Sequence, residues 1–181
     1  MELKKEMKLI YQVSDLNILN NQFKLNLSEK RIRHMKGASD YAKSLCELHK
    51  IDNADNIINM CFFHDIARDL DYNVTKELAE RSDWKILNIE FDNAVLLHSP
   101  AGAQFLLENK IFLKNNMKYL EAIRKHTLWD KKESFELSFL RLCDISEYSR
   151  DFDGVEKIRE KAFEDIEKAF TLSEEFRKGF N

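Results

Sequence analysis

The stretch NIINMCFFHDIARDL, residues 56–70, is the most hydrophobic helical segment of the chain and contains a histidine–aspartate pair. Its middle is apolar on every helical face, which is typical of a helix at the centre of a bundle. An unpaired buried carboxylate is unfavourable, so Asp65 needs a cation or several hydrogen-bond donors close to it. This stretch predicts a central helix that carries His64 and Asp65 into the core.

The composition around this stretch favours an all-α, single-domain helical bundle. The chain has 181 residues, with 4 glycines and 1 proline. Folds rich in strands and tight turns need more of both residues, because they use positive φ angles and rigid corners. Hydrophobic residues make up 44% and charged residues 34%, a mixture typical of amphipathic helices. A chain of this length suits one well-buried domain better than two.

Charge and hydropathy argue against several classes of function. The net charge is −3 without a block of like charges, so we expect no nucleic-acid partner. We expect no membrane segment, because no apolar run approaches the roughly 20 residues that span a bilayer. The N-terminus has neither the apolar region nor the cleavage site of a secretion signal. Cys46, Cys61 and Cys143 are widely spaced within apolar segments, which predicts reduced core thiols in a cytoplasmic protein.

Helical periodicity and capping signals divide the chain into segments. Asn20-Asn21-Gln22 is expected to end the first helix, and Ser99 before Pro100 is expected to begin one. Met35, Ala38, Ala42, Leu45 and Leu48 form the expected buried stripe of the second helix. Helices are predicted near residues 2–20, from an N-cap at Ser28 to about His49, from Asp52 or Asn53 through residue 70, over 75–81, after Ser99, over roughly 116–127, over about 134–149, and from Val155 after Gly154 to about Lys178. We divide the chain into an N-terminal helical extension, 1–26, and a domain, 27–181.

Polar groups lie on the apolar stripes of several other segments. His34 shares a face with Ala38, Tyr41 and Leu45, and Asp144 follows Leu140 and Leu137 at helical spacing. His126 follows Ile123 and Tyr119 in the same way, and His98 closes the run Ala94 to Leu97. A single inward histidine is usually a hydrogen-bonded core residue, and a single inward aspartate is usually a cap or an ion-pair partner. Imidazoles and carboxylates that converge from separate helices instead make a metal site. His49 lies at a helix C-terminus, where a cation suits the helix dipole, so we expect it outside this set.

The order of these residues resembles the H…HD…D pattern of the HD-domain metal-dependent phosphohydrolases. The chain is more similar still to the YqeK branch, the symmetrical diadenosine tetraphosphate hydrolases, over roughly residues 27–165. One departure is Arg68, where that branch has a lysine, which keeps the charge but not the compact ammonium group. The motifs that carry the resemblance are RIRH (31–34), HDIAR (64–68), LLHSPAGA (96–103), IRKHT (123–127) and CDISEYSR (143–150).

The resemblance implies a site with two metal ions. One ion would be held by His34, His64, Asp65 and Asp144, and the other by His98 and His126, with Asp65 bridging. Four imidazoles and two carboxylates without a thiolate suit iron, or alternatively manganese or another transition metal, better than structural zinc. Two such ions can share a hydroxide that attacks phosphorus in line.

The resemblance also suggests which residues contact the substrate. Asp65 and Arg68 are the expected catalytic residues, and Arg68, Thr127 and Arg150 the expected substrate-binding residues. Arg124 is a weaker candidate, because it faces away from His126 on an ideal helix. The alternative for each arginine is a solvated ion pair, and the alternative for Thr127 is a hydrogen bond at a helix end.

The resemblance implies a nucleotide as the small-molecule partner and leaves a homodimer open. The expected reaction is the symmetrical hydrolysis of diadenosine tetraphosphate to two ADP. Two alternatives are an HD hydrolase of another nucleotide or phosphoester and a nucleotide-sensing module without activity. A complete set of six ligands argues against the sensor.

Overall fold

The computed structural model describes residues 11–111, 117–128 and 134–178. Within these residues the chain forms ten helices and no strand, so the all-α prediction is confirmed. The helices are α1 (Val13–Phe23), α2 (Glu29–His49), α3 (Ala54–Phe63), α4 (Tyr72–Glu80), α5 (Asn88–Phe91), α6 (Ala94–Glu108), α7 (Met117–Lys125), α8 (Phe135–Ser146), α9 (Val155–Glu164) and α10 (Ile166–Lys178).

Helices α2 and α3 lie at the centre of the bundle. The Ser28 hydroxyl accepts from the Arg31 backbone N–H at 3.2 Å, as expected of the N-cap of α2. Met35, Ala38, Ala42 and Leu45 are buried, as the periodicity predicts. Leu48 is 50% exposed, so its place in the buried stripe was wrong. Helix α3 is buried from Ile57 to Phe63, which explains why its sequence is apolar on every face.

The prediction that the central helix continues through the histidine–aspartate pair was wrong. Helix α3 ends at Phe63, and residues 64–69 form consecutive turns. The His64 ring nitrogen Nδ1 donates to the Cys61 carbonyl at 2.8 Å. That carbonyl would accept the Asp65 N–H in a continuing α-helix, so the imidazole competes with the helical hydrogen bond. The turns then bring His64 and Asp65 to the same site.

The prediction that Ser99 and Pro100 begin a helix was also wrong. Pro100 lies inside α6, which begins at Ala94 after an Asn93 side chain that accepts from Val95 N–H at 2.8 Å. A proline inside a helix leaves the carbonyl four residues earlier without its donor. Here that carbonyl belongs to Leu96, and it accepts from the Thr127 hydroxyl at 3.4 Å. Thr127, two residues after the end of α7, thus supplies the missing hydrogen bond.

Other boundaries differ at the two ends of the chain. Asn20-Asn21-Gln22 lies inside α1, which ends at Lys24 in the left-handed conformation (φ 51°). The expected C-terminal helix is two helices, because the backbone at Asp165 is extended (φ −155°, ψ 102°). Leu16 of α1 is fully buried in the common core, and the division at residue 26 stays a prediction. The part of the predicted first helix before residue 11 and the expected helix start at Asn116 lie outside the described residues.

Three further observations concern the chain as a whole. Cys46, Cys61 and Cys143 are buried, and none is in a disulfide. Among the described helices, none has the length and apolar character needed to span a membrane. Helix α2 packs on α3 and α8, while α6 packs on α7, and α7 packs on α3 and α8. This packing brings the polar residues of five segments together.

Candidate metal centre

Six of the polar residues singled out in the sequence lie together in the bundle. His34 comes from α2, and His64 and Asp65 come from the turns after α3. Of these residues only Asp144 is partly exposed, and the other five are buried. The remaining members are His98 in α6, His126 directly after α7, and Asp144 in α8.

Asp65 lies between two pairs of imidazoles. Its Oδ1 is 2.8 Å from His98 Nε2 and 3.5 Å from His126 Nε2. Its Oδ2 is 3.6 Å from His64 Nε2 and 3.8 Å from His34 Nε2. Each carboxylate oxygen therefore faces its own pair of rings, which is the arrangement that a bridging ligand requires.

Backbone carbonyls orient three of the four rings. The Nδ1 atoms of His64, His98 and His126 lie 2.7–2.8 Å from the carbonyl oxygen three residues earlier in each case. A carbonyl can only accept, so each Nδ1 carries a proton. In the neutral ring the lone pair is then on Nε2, which is the atom directed at Asp65. The local backbone therefore orients these three rings so that the Nε2 atom of each one points into the site.

The Nε2 atoms are too close together for neutral rings without a shared cation. His34 Nε2 is 3.2 Å from His64 Nε2, and His98 Nε2 is 3.3 Å from His126 Nε2. Two lone pairs at this distance repel each other unless a proton or a metal ion lies between them. Ligands at about 2.1 Å from one ion are themselves about 3 Å apart when they are neighbours. Groups of three that can each hold an ion are His34–His64–Asp65, His64–His126–Asp144 and Asp65–His98–His126. The residues present therefore fit a metal.

The carboxylates of the site are charged at neutral pH. Burial raises the pKa of Asp65, but His64, His126 and His98 outweigh it and hold that pKa well below the usual range. Burial also raises the pKa of Asp144, and hydrogen bonds from His34 and His64 lower it well below the usual range. Burial lowers the pKa of His126 to about 4, which keeps its ring neutral. Burial lowers the pKa of His64, but Asp65 and Asp144 outweigh it and raise that pKa above its ordinary value. Metal ions bind the charged carboxylate and the neutral imidazole, so a metal ion at this site would displace a proton from His64.

Glu147 orients the fourth ring, and the sequence analysis missed it. Its Oε1 lies 3.1 Å from His34 Nδ1, and the carboxylate also accepts from the Ser149 backbone N–H at 2.7 Å. Glu147 is 1% exposed. A Cβ at Gly37 would lie 2.4 Å from Glu147 Oε2, so the glycine gives the carboxylate its room. Two features of the sequence could have pointed to this contact. Gly37 is a glycine inside a helix, one turn after His34, and Glu147 follows Asp144 by three residues.

Two arginines contact the carboxylates of the centre. Arg150 Nη2 donates to Asp144 Oδ1 at 2.7 Å and lies 3.1 Å from His34 Nε2. Arg31, in the first of the quoted motifs, forms an ion pair with Asp65 Oδ2 and lies 3.5 Å from Asp69. Each of the two carboxylates therefore has an arginine side chain beside it.

Two further arginines lie apart from the ligands. Arg68 is half-buried one turn after Asp65, and no carboxylate in the described part of the chain pairs with it. Arg124 points away from the site, as expected, and forms a buried pair with Glu90, with nitrogen–oxygen distances of 2.9 Å. Arg124 therefore has a structural contact, while Arg68 follows the histidine–aspartate pair by one turn.

Thr127 and His49 have contacts that explain their positions. The Thr127 hydroxyl lies 2.9 Å from Ser99 Oγ in addition to its bond with Leu96, so it joins the end of α7 to α6. It also lines a cavity of about 540 Å³ beside His126 and Asp144. His49 Nε2 donates to the Ala162 carbonyl at 2.6 Å, far from the cluster in the fold, as expected.

Known proteins with similar sequences contain the same type of domain. The family model described as "HD domain" matches residues 31–150. A protein of Halalkalibacterium halodurans named symmetrical bis(5'-nucleosyl)-tetraphosphatase is 32% identical over 150 residues, covering 83% of this chain and 78% of the relative. A protein of the same name from Bacillus subtilis is 27% identical over the same shares of both chains.

A solved structure is similar along nearly the whole chain. It is described as a predicted HD superfamily hydrolase involved in NAD metabolism, from Clostridium acetobutylicum. The TM-score is 0.77 at 27% identity, and the match covers 94% of this chain and 87% of the solved one. The family model and the two comparisons agree with the cluster of histidines and aspartates, and the chain belongs to the HD domain family.

Proposed function

We propose that the cluster holds two metal ions with Asp65 between them. His34, His64 and Asp144 would complete the site of one ion, and His98 and His126 that of the other. The observation that carries this proposal is the carboxylate of Asp65, whose two oxygens face separate pairs of Nε2 atoms. A single ion would need only one of these pairs.

Iron is our first choice for the metal, with manganese or another transition metal as the alternative. Imidazole nitrogens and carboxylate oxygens suit ions of intermediate hardness that take six ligands. The described ligands include no thiolate, since the three cysteines lie in the hydrophobic core. Unfilled coordination positions would remain for water and for substrate oxygens.

We infer that the protein is a phosphohydrolase that cleaves diadenosine tetraphosphate symmetrically into two ADP. The names of the two bis(5'-nucleosyl)-tetraphosphatase relatives support this substrate. Bound in pairs, such ions act as Lewis acids and make a nucleophile from water at neutral pH. Asp65 would contribute to catalysis by binding both ions and so fixing the distance between them. A nucleotide would thus be the partner of this site.

The cations near the ligands would bind the phosphates. Arg150 and Arg68 carry permanent charges, which can stabilise negative charge that develops on phosphoryl oxygens. Arg150 lines the cavity together with Asp144, and Arg68 follows Asp65 by one turn. We propose Arg68, Arg150 and Thr127 as substrate-binding residues, with Arg68 also catalytic. Location in the cytoplasm and a homodimer stay predictions.

The test is product analysis with the protein loaded with iron or manganese. Diadenosine tetraphosphate should give ADP as the sole nucleotide product. AMP together with ATP would contradict symmetrical cleavage. If only a different nucleotide or phosphoester were hydrolysed, the protein would still be a hydrolase, but the proposed substrate would be wrong. Tight nucleotide binding with no turnover in either metal would contradict the enzyme and favour a sensor.

A further inference from the structure

The cavity beside the metal centre has more in its lining than the proposed metal ligands. Its volume of about 540 Å³ falls in the range of roughly 300–1,000 Å³ that holds ligands of drug size. A nucleoside diphosphate is a ligand of this size. His126, Asp144 and Arg150 line the cavity, and so do Phe152, Phe176 and Arg177.

Phe152 and Phe176 form a stacked aromatic pair at the cavity. Their ring centroids are 4.5 Å apart, and their planes differ by 28°. Both side chains are half-buried. The Phe176 ring also lies 3.6 Å from the position that a Cβ would take at Gly154, whose φ is +94°. The pair therefore packs closely against the backbone before α9, which fixes it in advance of binding. Aromatic rings in a cavity of this kind stack on nucleic acid bases of any identity.

Arg177 adds a second guanidinium group to the same cavity. Its Nη2 donates to the His126 carbonyl at 2.7 Å, so its position is tied to the metal centre. Arg150 lies in the same lining and donates to Asp144. Planar guanidinium groups bind phosphate oxygens with two parallel hydrogen bonds. Two of them beside an aromatic pair suit a ligand that has both a phosphate chain and a base.

These features belong to the part of the chain beyond the matched domain. The family model ends at residue 150, whereas Phe152, Phe176 and Arg177 lie after it. The C-terminal helix α10 thus supplies one wall of the cavity. The proposed metal ligands all lie within residues 31–150, whereas this wall lies after them.

We propose that the Phe152–Phe176 pair binds the base of a nucleoside diphosphate unit and that Arg177 binds its phosphates. The inference rests on the proposed function for the identity of that nucleotide. A base held at a fixed distance from the metal ligands also selects which phosphorus reaches them. The aromatic pair would therefore determine that a tetraphosphate is cut in its middle.

The test is calorimetric titration of the manganese-loaded protein with ADP and, separately, with inorganic pyrophosphate. Phe176→Leu keeps the apolar volume and removes the ring, so it should weaken ADP binding about tenfold. Pyrophosphate binding should stay within twofold of wild type, because it has no base. Phe176→Tyr should bind ADP like the wild type. Phe163→Leu is the matched control, since that phenylalanine packs on Tyr41, outside the cavity lining.

Two results would overturn the proposal: wild-type ADP binding by Phe176→Leu, or an equal loss for ADP and pyrophosphate. If that variant does not fold, Phe152→Leu replaces it with the same expectations. A failure of the proposed function would be distinguishable from a failure of this inference. ADP binding needs no turnover, so the titration tests the aromatic pair even if diadenosine tetraphosphate is not hydrolysed. Conversely, hydrolysis to ADP with an unaffected Phe176→Leu would reject the pair alone.

Discussion

Asp65 lies between the two pairs of imidazoles, and our two-metal proposal depends on it. Its carboxylate faces four imidazoles, and the Arg31 guanidinium pairs with Oδ2 from outside. Burial alone would favour the neutral acid, yet the surrounding imidazoles hold its pKa low. The charge that is unfavourable in an apolar core is thus stabilised by the same groups that would bind the metal ions.

Asp65→Ala should lose metal from both halves and abolish turnover. His98→Ala removes a ligand from one half only, so it should keep about one ion per chain. Elemental analysis of the purified variants distinguishes these outcomes. Full metal content in Asp65→Ala would refute a bridging role.

His49→Ala is the control for these substitutions. It should keep wild-type metal content, because His49 bonds to the Ala162 carbonyl and not to the cluster. Loss of this hydrogen bond should lower the free energy of unfolding by about 1 kcal/mol. Thermal denaturation measures that difference.

Glu147→Gln should weaken metal binding without unfolding the protein. A carboxylate behind a ligand histidine fixes the ring and raises its basicity, and its loss costs about 10- to 100-fold in affinity. Glutamine keeps the shape but not the charge that accepts from His34 Nδ1. Competition with a chromophoric chelator gives the affinity, and an unchanged value would leave Glu147 with a packing role only.

The six residues of the cluster could be singled out from the sequence because each is a polar side chain on an apolar stripe. Glu147 follows Cys143 and Leu140 at helical spacing as well, but that spacing does not show that its carboxylate faces His34. It lies at the end of α8, and its partner His34 is 113 residues away in the chain. Helical spacing carries no information about such a pair. The gap that Gly37 leaves for the carboxylate is visible only once α2 and α8 are packed together.

At the scale of elements, the site is made where helical hydrogen bonding is interrupted. Helix α3 ends where the His64 ring takes the Cys61 carbonyl, and α6 continues through Pro100 because Thr127 donates to Leu96. Capping at Ser28 could be predicted, since that cap depends on neighbouring residues. The end of α3 and the path of α6 depend on side chains and on a second helix, so local patterns gave the wrong boundaries.

Gly37→Ala should reverse the usual effect of this substitution in a helix. Replacing a mid-helix glycine by alanine normally stabilises a protein by roughly 0.5–1 kcal/mol. In α2 the added methyl group would collide with Glu147 Oε2, so the carboxylate must leave His34. We expect no gain in stability and a loss of metal affinity in the same direction as Glu147→Gln. A more stable variant with unchanged affinity would contradict the account.

Arg124→Met should destabilise the fold and spare the centre. Arg124 and Glu90 are both buried, and breaking such a pair costs about 3–5 kcal/mol because one charge is left without a partner. Urea denaturation measures the loss. Protein that remains folded should keep its metal, whereas selective loss of metal at unchanged stability would give Arg124 a direct role in the site.

At the scale of the whole molecule, the cavity combines residues of the matched domain with residues that follow it in the chain. Scarcity of glycine and proline was enough to predict an all-α bundle. The ordered motifs were enough to predict the family, which the match over residues 31–150 confirms. The cavity could not be predicted, because α10 reaches the metal centre from the far end of the chain through Arg177 and the His126 carbonyl.

The central claim is that one carboxylate joins two metal ions, and anomalous diffraction from crystals of the iron- or manganese-loaded protein tests it most directly. We expect two peaks about 3.5–4 Å apart, with Asp65 between them. One peak should lie by His34, His64 and Asp144, and the other by His98 and His126. A single peak, or two peaks that Asp65 does not join, would contradict the account.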